Sequence, residues 1–319
     1  MSLFLFSSLN VWTALLALLV ERFTGYPKAL LKAIGHPVMW MGVLITWLEN
    51  RLNNHTRRNG VLALLIVLAV TLCVTLPIAI FLRSLPFGWV FEALFATTLL
   101  AQKDLRDHVK AVRDGLRESL DAGRKEVAKI VGRDPQQLDE TGVTKGAIES
   151  LAENTSDGVI APLFWLLIAG LPGIALYKAV NTCDSMIGYK SERYQSFGWA
   201  SARFDDVLNF VPARLTGVLF GLASGSKFGQ AFSTMRRDAP HHVSPNAGWP
   251  EAAIAGGVGI ALGGPRSYDG RRVDLAWMGK GGRENLDADD IGAALRLYGK
   301  SLNLTAIAVA LIGLGLIVA

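Results

Sequence analysis

An acidic stretch, residues 149–158, is the first place where residue types and spacing could support chemistry. Glu149 and Glu153 are four residues apart, so a helix would place both carboxylates on one face, where like charges repel. A hard cation such as Mg²⁺, which prefers oxygen ligands, would relieve this repulsion. The alternative is a solvated helix end with the Asn-Thr pair as its cap and turn. An apolar run follows directly, and carboxylates are costly there and usually functional, so the pattern favours a site that includes Asn154 and Asp157.

A second polar cluster begins where the next apolar run ends. Lys178, Asn181 and Ser185 recur at three- and four-residue spacings, which predicts one polar helix face. Lys178 and Lys190 are suited to binding phosphate as point charges. The alternative is a pair of lysines that extend toward a membrane interface. Asn181 and Asp184 lie between the two lysines, and this combination favours a functional site.

A third cluster combines paired aspartates with an arginine in an apolar stretch. Asp205, Asp206 and Asn209 offer oxygen ligands for a metal. Arg214 follows a proline, and an arginine in such a stretch needs a buried anionic partner. That partner would be Asp205 or Asp206 in a structural role, or a substrate phosphate in a functional role, and the residues do not choose between these.

A fourth polar segment, Arg236 to Glu251, contains His241 and His242 but no cysteine or third histidine. An adjacent histidine pair is weak evidence for a metal, so a polar loop is the favoured interpretation.

The glycines at 256–264 lack the Gly-Lys-Ser/Thr that ends a Walker loop. They are more typical of close helix packing in a membrane, although Gly263-Gly264-Pro265 could form a turn beside a phosphate. No Gly-x-Ser-x-Gly elbow or kinase signature is present.

The segments that must position these clusters are strongly apolar. The 319 residues are 51% hydrophobic and 18% charged, whereas a soluble domain has roughly a quarter charged residues. Uncharged runs cover Val61–Leu82, Gly158–Tyr177 and Ser301–Ala319. Each is close to the length of about 20 apolar residues that a helix needs to cross a membrane. The sequence therefore predicts an integral membrane protein.

Net charge and cysteine usage argue against two other classes of protein. The formal net charge is +5, but there is no polybasic run and no basic helix with interleaved aromatics. The positive charge is therefore interpreted as retaining loops on the cytoplasmic side, not as binding nucleic acid. Cys73 and Cys183 are the only cysteines, and Cys73 lies in an apolar run, so no disulfide and no structural zinc are expected.

The first part of the chain is predicted to form membrane helices. A helix over 8–20 lacks a basic n-region and a cleavage site, so it is expected to stay in the membrane. Residues 21–58 are interpreted as a cytoplasmic loop because Lys and Arg outnumber the acids. The runs 61–82 and 85–100 predict a membrane hairpin. Over 102–134, hydrophobic residues at three- and four-residue steps predict one long amphipathic helix.

The run from Gly158 to Tyr177 poses a topological problem. Gly170-Leu-Pro-Gly173 is a strong turn signal at its centre and leaves halves of only about ten residues, too short to cross. Because polar motifs flank both ends, we predict a re-entrant hairpin whose turn is shielded by protein or a cavity. A shorter helix over 143–153 precedes this run, and a mixed segment over 207–224, interrupted by Pro212, follows it.

Together these features predict an all-α, polytopic integral membrane protein with about four to six membrane-embedded helices. A re-entrant hairpin and a long cytoplasmic amphipathic helix belong to this prediction. We expect one membrane-embedded domain over residues 1–319. Its expected parts are the N-terminal membrane helices with a cytoplasmic loop (1–101), a cytoplasmic helical segment (102–157), a motif-rich catalytic region (158–300) and a C-terminal membrane helix (301–319).

The same segments resemble the CbiB/CobD family, the membrane adenosylcobinamide-phosphate synthases of cobalamin biosynthesis. The resemblance covers nearly the whole chain, and its long motifs are specific. They are the runs Val131-Gly-Arg-Asp, Glu149-Ser-Leu-Ala-Glu-Asn-Thr-Ser-Asp-Gly158, Tyr177-Lys-Ala-Val-Asn-Thr-Cys-Asp-Ser-Met-Ile-Gly-Tyr-Lys190, Ser201-Ala-Arg-Phe-Asp-Asp206, Pro212-Ala-Arg214 and Ser244-Pro-Asn246. Gly25-Tyr-Pro27 and His36-Pro-Val-Met-Trp40 are similar to the family's first loop, where Tyr26 replaces the usual acid.

The resemblance implies an ATP-dependent amide ligation that joins a propionate of adenosylcobyric acid to aminopropanol or its phosphate. ATP would convert the carboxylate into an acyl phosphate, and Mg²⁺ would neutralise charge at phosphorus. The implied catalytic residues are Glu153, Asp157, Asp184, Asp205 and Asp206. The implied Mg²⁺ ligands are Glu153, Asp184, Asp205 and Asp206. The implied substrate-binding residues are Asn154, Lys178, Asn181, Lys190, Arg203, Arg214, Ser244 and Asn246.

We further expect a bacterial inner-membrane location with the active site facing the cytoplasm. Expected partners are the corrinoid, the aminopropanol substrate and the lipid bilayer, but not nucleic acid. A homo-oligomer and other late cobalamin-pathway membrane proteins are left open as partners.

Two alternatives come from other functional classes. A transporter would also contain intramembrane arginine and broken helices, but it predicts inverted repeats, which the sequence does not show. A CDP-alcohol transferase needs an Asp-Gly-x-x-Ala-Arg pattern, whereas Asp157-Gly158 is followed by Val-Ile-Ala-Pro.

Overall fold

The computed structural model describes residues 5–131, 135–268 and 271–318 and consists mainly of helices. Among these residues, five helical segments are long and apolar enough to cross a membrane. They are Ala29–Leu52, Arg57–Ser84, Glu140–Ile187, Trp199–Ala223 and Ala288–Val318. The predicted class, an all-α polytopic membrane protein, is confirmed.

The helices follow one another along the chain, and two pairs of short strands precede the last of them. The α-helices are α1 (Ser8–Thr24), α2 (Lys28–Ile34), α3 (Pro37–Leu52), α4 (Arg57–Ser84), α5 (Gly88–Thr97), α6 (Gln102–Glu118), α7 (Leu120–Val127), α8 (Glu140–Thr155), α9 (Ala161–Ile187), α10 (Trp199–Ala223), α11 (Phe228–Asp238), α12 (Gly248–Val258) and α13 (Ala288–Val318). The antiparallel strand pairs are β1 (Leu262–Gly263) with β4 (Trp277–Met278) and β2 (Arg266–Tyr268) with β3 (Arg271–Val273).

The chain divides into two compact units. The first comprises Met1–Ala101, Ala161–Asn209 and Ala308–Ala319, and the second comprises Gln102–Ile160 and Phe210–Ile307. The expected single membrane-embedded domain, with its internal boundaries, stays a prediction.

The prediction of a loop over residues 21–58 is wrong, because α2 and α3 occupy most of that segment. Pro37 is the first residue of α3, a position where its missing amide hydrogen costs little. The His36 side chain accepts the amide of Val38 at 3.2 Å and so caps the helix. Ile45 and Leu48 are buried in a core with residues of α4 and α9. The basic flanks of this segment suggested a loop, but its apolar interior forms a helix.

A helical hairpin is present as α4 and α5, and a buried ion pair joins its arms. The ten-residue α5 is not among the five segments long enough to cross a membrane, so the membrane hairpin stays a prediction. The Arg83 guanidinium donates two hydrogen bonds to the Glu92 carboxylate, each 2.9 Å long. Both side chains are almost completely excluded from solvent. The pair explains why an acid is tolerated in this apolar segment, since a buried carboxylate needs a counter-ion.

The predicted break in the 158–177 run is confirmed inside α9. Ala169 and Gly170 leave helical geometry, and Gly170 has φ +61°, which favours glycine. The chain bends so sharply that a Cβ on Gly173 would lie 2.3 Å from the carbonyl oxygen of Trp165. A re-entrant course through the membrane stays a prediction.

Neighbouring segments satisfy the backbone groups around this break. The Asn10 side chain donates to the carbonyl of Leu167 at 3.2 Å, and the amide of Phe6 donates to the carbonyl of Ile168 at 2.9 Å. Beyond the break, the amide of Leu171 donates to a carboxylate oxygen of α5 at 3.0 Å. The expected shielding of the turn by protein is therefore present, as non-helical backbone in an apolar setting requires.

The prediction of one amphipathic helix over 102–134 is wrong, because α6 ends at Glu118 and α7 begins at Leu120. Ser119 has extended backbone geometry, and its hydroxyl accepts the amide of Ala122 as an N-cap. Each helix keeps a buried apolar face, so the amphipathic character is confirmed. The end of the predicted helix, residues 132–134, lies outside the described residues.

The remaining predicted helices are present with different bounds. The helix expected over 143–153 is α8, which Asp139 caps by accepting the amide of Gly142 at 2.7 Å. A π-helical turn, Ser156–Ile160, follows it. The mixed segment over 207–224 lies inside α10 up to Ala223, and the helix continues through Pro212. The C-terminal helix starts well before residue 301, at Ala288.

Candidate functional site

A continuous hydrogen-bond network joins α9 to α10 in the first unit. Tyr177 donates to the Asn209 oxygen at 2.9 Å, and the Asn209 nitrogen donates to one Asp205 oxygen at 2.9 Å. The other Asp205 oxygen accepts from Asn181 at 3.3 Å, and Lys178 donates to the Asn181 oxygen at 3.3 Å. We call these five residues the Asp205 network. It brings together three of the predicted site residues, one of which is a cation and one a carboxylate.

Helical spacing explains how the sequence builds this network. Tyr177 and Asn181 are four residues apart on α9, and Asp205 and Asn209 are four apart on α10, so each pair shares one helix face. Asp205 is only 7% exposed, and Asn209 is 1% exposed. A buried carboxylate is costly without donors, and here two side-chain amides donate to it.

Asp206 follows Asp205 on α10 but is less buried, with a side chain that is 32% exposed. Arg203 lies 3.8 Å from its carboxylate on the same helix, and the charge of Lys190 also acts on it. The structure therefore places two predicted phosphate-binding cations beside an accessible carboxylate.

Asp184 lies near the end of α9, where the backbone passes very close to its side chain. A Cβ on Gly188 would lie 1.9 Å from an Asp184 carboxylate oxygen. The amide of Gly188 donates to the Asp184 carbonyl at 2.7 Å. Glycine at position 188 is therefore required by the local geometry, and it leaves room for the Asp184 carboxylate.

The acidic motif of the second unit ends in an irregular helical turn. Glu153 and Asn154 are exposed on the last turn of α8, and Asp157 is half-buried in the π-helical turn that follows. Asn154 donates to the carbonyl of Ser150 at 2.9 Å. The Ser156 hydroxyl is buried and has no hydrogen-bond partner among the described residues. Single π-helical turns occur frequently at functional sites, which supports the predicted role of this motif.

Glu149, the first acid of that motif, has a structural contact. One of its oxygens accepts the amide of Gly263 at 2.9 Å. Gly263 has φ +66°, ends β1 and pairs with Trp277 of β4. Glu149 thus fixes a turn through one of its oxygens, and its place in a cation site stays a prediction.

Arg214 lies between two aromatic rings of the second unit. Its guanidinium carbon is 3.6 Å from the ring centre of Phe210 and 4.5 Å from that of Trp249. It donates to the Phe210 carbonyl at 2.7 Å and to the Asn246 side chain at 3.3 Å. Stacking on aromatic faces stabilises a partly desolvated arginine, and this arrangement accounts for an arginine in an apolar stretch.

The Ser244-Pro-Asn246 motif forms the turn that presents Asn246. The Ser244 hydroxyl accepts the amides of Asn246 at 3.2 Å and Ala247 at 3.1 Å. His242 accepts the amide of Ser244 at 3.0 Å, and its other ring nitrogen lies 3.7 Å from Glu251. The histidine therefore belongs to a polar loop, as predicted.

No group of three or more His, Cys, Asp or Glu side chains that could hold a metal ion is found among the described residues. Mg²⁺ commonly binds through one or two carboxylates together with substrate phosphates, and the donor types of Asp184 and Asp206 fit that mode. The predicted set of four Mg²⁺ ligands stays a prediction.

Two polar sites were not predicted from the sequence. In the first unit, Arg193 and Tyr194 bond to the buried carboxylate of Glu49 at 2.6–2.9 Å, beside a cavity of about 590 Å³. In the second, Asp238 bonds to Arg237 and to two backbone amides after β4. In both cases most of the partners lie far apart in the chain, so no local pattern signals the contact.

Fold and site together define a polytopic all-α membrane protein with a buried, charged hydrogen-bond network between two helices. The chain belongs to the family described as CobD/Cbib protein, whose profile matches residues 14–298. The resemblance inferred from the motifs is therefore confirmed, over nearly the whole chain.

Relatives of similar length are named cobalamin biosynthesis protein CobD. The protein from Brucella anthropi is 50% identical, over 94% of this chain and 96% of that protein. The protein from Rhodobacter capsulatus is 47% identical, over 89% of this chain and 91% of that protein. The protein from Sinorhizobium fredii is 45% identical, over 88% of this chain and 90% of that protein. No solved structure matches the chain.

Proposed function

We propose that this chain is an enzyme of cobalamin biosynthesis that catalyses an ATP-dependent amide ligation. The reaction joins a carboxylate of adenosylcobyric acid to the amine of aminopropanol or of its phosphate. The observation that carries the proposal is the Asp205 network together with the neighbouring cations, in a chain of the CobD/Cbib family.

The reaction needs an activated acyl group, because a carboxylate is a poor acyl donor. A carboxylate oxygen of the corrinoid attacks the terminal phosphorus of ATP, and ADP leaves. The amine nitrogen then attacks the carbonyl carbon of the acyl phosphate, and inorganic phosphate leaves as the amide forms. Such a sequence requires cations that hold phosphate and a carboxylate that accepts the ammonium proton.

The residues of the first unit are assigned to these tasks by their exposure and charge. Lys178 and Lys190 bind phosphate oxygens as point charges, with Arg203 at the exposed edge. Asp206, the more exposed aspartate, accepts the proton of the amine. Asp205 positions Lys178 through Asn181.

Mg²⁺ fits the oxygen donors of Asp184 together with substrate phosphates, and when bound it would neutralise charge at phosphorus. Both oxygens of Asp205 already accept hydrogen bonds, so this residue is assigned to positioning. Glu153 and Asp157 are kept as catalytic candidates, and Asn154, Arg214, Ser244 and Asn246 as substrate-binding candidates of the second unit.

A direct test uses the purified full-length chain in detergent with ATP, Mg²⁺, adenosylcobyric acid and either amine. We expect ADP release that depends on the corrinoid, and a corrinoid product heavier by the amine. Release of ADP without any dependence on the corrinoid would contradict the proposed reaction. Comparing the free and the phosphorylated amine identifies the substrate.

Variants separate the residue roles from the reaction itself. Asp206→Asn should lower the ligation rate, whereas Asp121→Asn, at an aspartate whose side chain is 79% exposed, should leave it unchanged. An active Asp206→Asn variant would remove Asp206 from the mechanism and leave the ligation proposal in place.

The proposed setting is the bacterial inner membrane, with the site facing the cytoplasm. The general excess of Lys and Arg in cytoplasmic segments of membrane proteins is the rule on which this orientation rests. Single cysteines at the exposed Asn154 and Ser191, in a chain that lacks Cys73 and Cys183, should both react with an impermeant reagent from the cytoplasmic side. Labelling from opposite sides would contradict the re-entrant hairpin.

A further inference from the structure

A small cavity of about 150 Å³ lies within the second unit, between α11, the end of α12 and the turn that follows β4. Sites for drug-sized ligands are roughly 300–1,000 Å³, so this cavity suits a small chemical group. The lining contains no acidic residue among the described residues. It contains two cations, Arg237 and Lys280, and the hydroxyl residues Ser233 and Thr234.

Glycines give this cavity its shape. The turn Gly279-Lys280-Gly281-Gly282 forms one wall, with φ +84° at Gly279 and +88° at Gly281. A Cβ on Gly279 would lie 2.3 Å from the carbonyl oxygen of Ile260, so no larger residue fits there. A Cβ on Gly281 would meet nothing within 4 Å. The Gly281 amide has no acceptor within the described part of the chain. Backbone amides in such turns form anion-binding concavities.

A buried carboxylate holds this turn in place. One Asp238 oxygen accepts the amides of Gly279 at 2.7 Å and Lys280 at 3.2 Å. Both Asp238 oxygens also bond to Arg237, which donates in addition to the Lys280 carbonyl at 3.2 Å. The negative charge of Asp238 is therefore compensated by the amides of the turn and by Arg237, and the turn is fixed before any ligand binds.

The remaining charge of the cavity region is positive. Lys280 is exposed on the turn, and the Lys227 nitrogen lies 3.3 Å from the position of a Cβ on Gly259, a residue of the cavity lining. Lys227 also donates to the carbonyl of Val258 at 2.8 Å. With Arg237 balanced by Asp238, Lys280 in the lining and Lys227 next to it provide positive charge that favours an anion.

We propose that this cavity, formed by the turn Gly279–Gly282 with Ser233, Thr234 and Arg237, binds the phosphate group of a phosphate-bearing ligand. Lys280 supplies the principal charge, and the backbone amide of Gly281 and the nearby hydroxyls supply hydrogen bonds. The site uses none of the residues assigned to the proposed ligation, so it can be tested whether or not the ligation occurs.

The test measures binding of inorganic phosphate to the purified full-length chain in a maltoside detergent, which carries no phosphate. Isothermal titration calorimetry should show saturable binding of phosphate to the wild-type chain. Lys280→Met should weaken it by about tenfold, which corresponds to one charge-assisted hydrogen bond. Arg236→Met is the matched control, since Arg236 is an exposed cation of α11 that does not line the cavity. It should change the affinity by less than about twofold.

Absence of phosphate binding, or equal losses in Lys280→Met and Arg236→Met, would overturn the site.

Competition then identifies the source of the phosphate group. Displacement by ATP supports a nucleotide phosphate, and displacement by aminopropanol phosphate supports a phosphorylated amine. Unphosphorylated aminopropanol should not compete, and competition by it would contradict recognition of phosphate. All of these measurements are made without turnover, so they are independent of the ligation assay.

Discussion

Two buried carboxylates of the first unit, Glu92 and Asp205, are compensated in different ways. Both oxygens of Glu92 accept hydrogen bonds from the Arg83 guanidinium, and one also accepts a backbone amide. Asp205 accepts only from the neutral amides of Asn181 and Asn209, and no ion pair to it is found among the described residues. The sequence surrounds them differently, since Glu92 is the only charge of residues 85–100 and Asp205 lies between Arg203 and Asp206.

The difference indicates a structural role for one acid and a functional role for the other. The charge of Glu92 is cancelled by a direct counter-ion, and its oxygens are fully used, which suits a group that fixes a helix hairpin. The charge of Asp205 is met only by dipoles and, at longer range, by Lys178. Such a site keeps a negative electrostatic field that favours a cationic ligand.

The largest expected effect comes from removing the counter-ion of Glu92. Arg83→Met should lower the free energy of unfolding by about 3–5 kcal/mol, because it leaves an uncompensated buried charge. Reversible denaturation in detergent measures this change. The double variant Arg83→Met/Glu92→Gln should recover much of the loss, because both charges are then absent. Equal stabilities of the single and double variants would show that Glu92 does not depend on Arg83.

The second prediction concerns Asp205 and rests on the proposed function. Asp205→Asn should lower the ligation rate by about 100-fold, because it removes the charge that organises Lys178 and Asn181. The free energy of unfolding should change by about 1 kcal/mol or less, since an amide can still bond to one of its neighbours. A large loss of stability with an unchanged ligation rate would show that Asp205 has a structural role, as Glu92 does.

A third prediction examines the break in α9 that lies beside Glu92. Gly170→Ala should destabilise the chain by about 1–3 kcal/mol, because alanine is strained at φ +61°. The added Cβ would also lie 2.6 Å from Arg83 and 3.1 Å from Glu92. Gly299→Ala is the matched control, since a Cβ there meets nothing within 4 Å. If both variants have the wild-type melting temperature, an alanine at position 170 is not strained and the prediction is wrong.

The smallest expected effect concerns Asp238, an acid outside the membrane-spanning segments. Burial raises the pKa of its carboxyl, but the hydrogen bonds from Arg237 and from the amides of Gly279 and Lys280 outweigh burial, so the pKa lies below its ordinary value. The folded state therefore binds fewer protons than the unfolded state. The resulting stability is present above the unfolded-state pKa of about 3.9 and is lost as pH falls through the lower folded-state pKa.

Asp238→Asn should accordingly lower the free energy of unfolding at pH 7 by about 1–2 kcal/mol. The difference from the wild-type chain should shrink as the pH falls below about 4. Denaturation curves over a pH series measure both effects. A constant difference at all pH values would show that the charge of Asp238 is not what stabilises the turn.

The membrane segments and the polar helix faces of the Asp205 network could be predicted because their signals are local, whereas the contact between α9 and α10 could not. The uncharged run of α4 and the turn signal at Gly170 specify their structures by composition. The four-residue spacing of Asp205 and Asn209 places both side chains on one face of a helix. The motifs of the family indicated which of these segments are important for function.

The wrong or missing predictions have physical reasons. The basic flanks of α3 predict a loop, but its apolar interior packs as a helix. The helix break at Ser119 depends on a single hydroxyl cap, a weak signal inside an amphipathic pattern. Arg83 and Glu92 meet only because a hairpin folds between them, and Asp238 meets Gly279 across 41 residues of chain. Sequence patterns record periodicity well and distant partners poorly.

The hydrogen bonds around the break in α9 have a practical consequence for protein engineering. Phe6 and Asn10 together satisfy the open helix end at the break, because they donate hydrogen bonds to the carbonyls of Ile168 and Leu167. A truncation that removes the first ten residues would leave two carbonyl groups without donors in an apolar environment. Affinity tags and fusion partners should therefore be joined through a spacer that leaves these residues free to dock, or be moved to the other end of the chain.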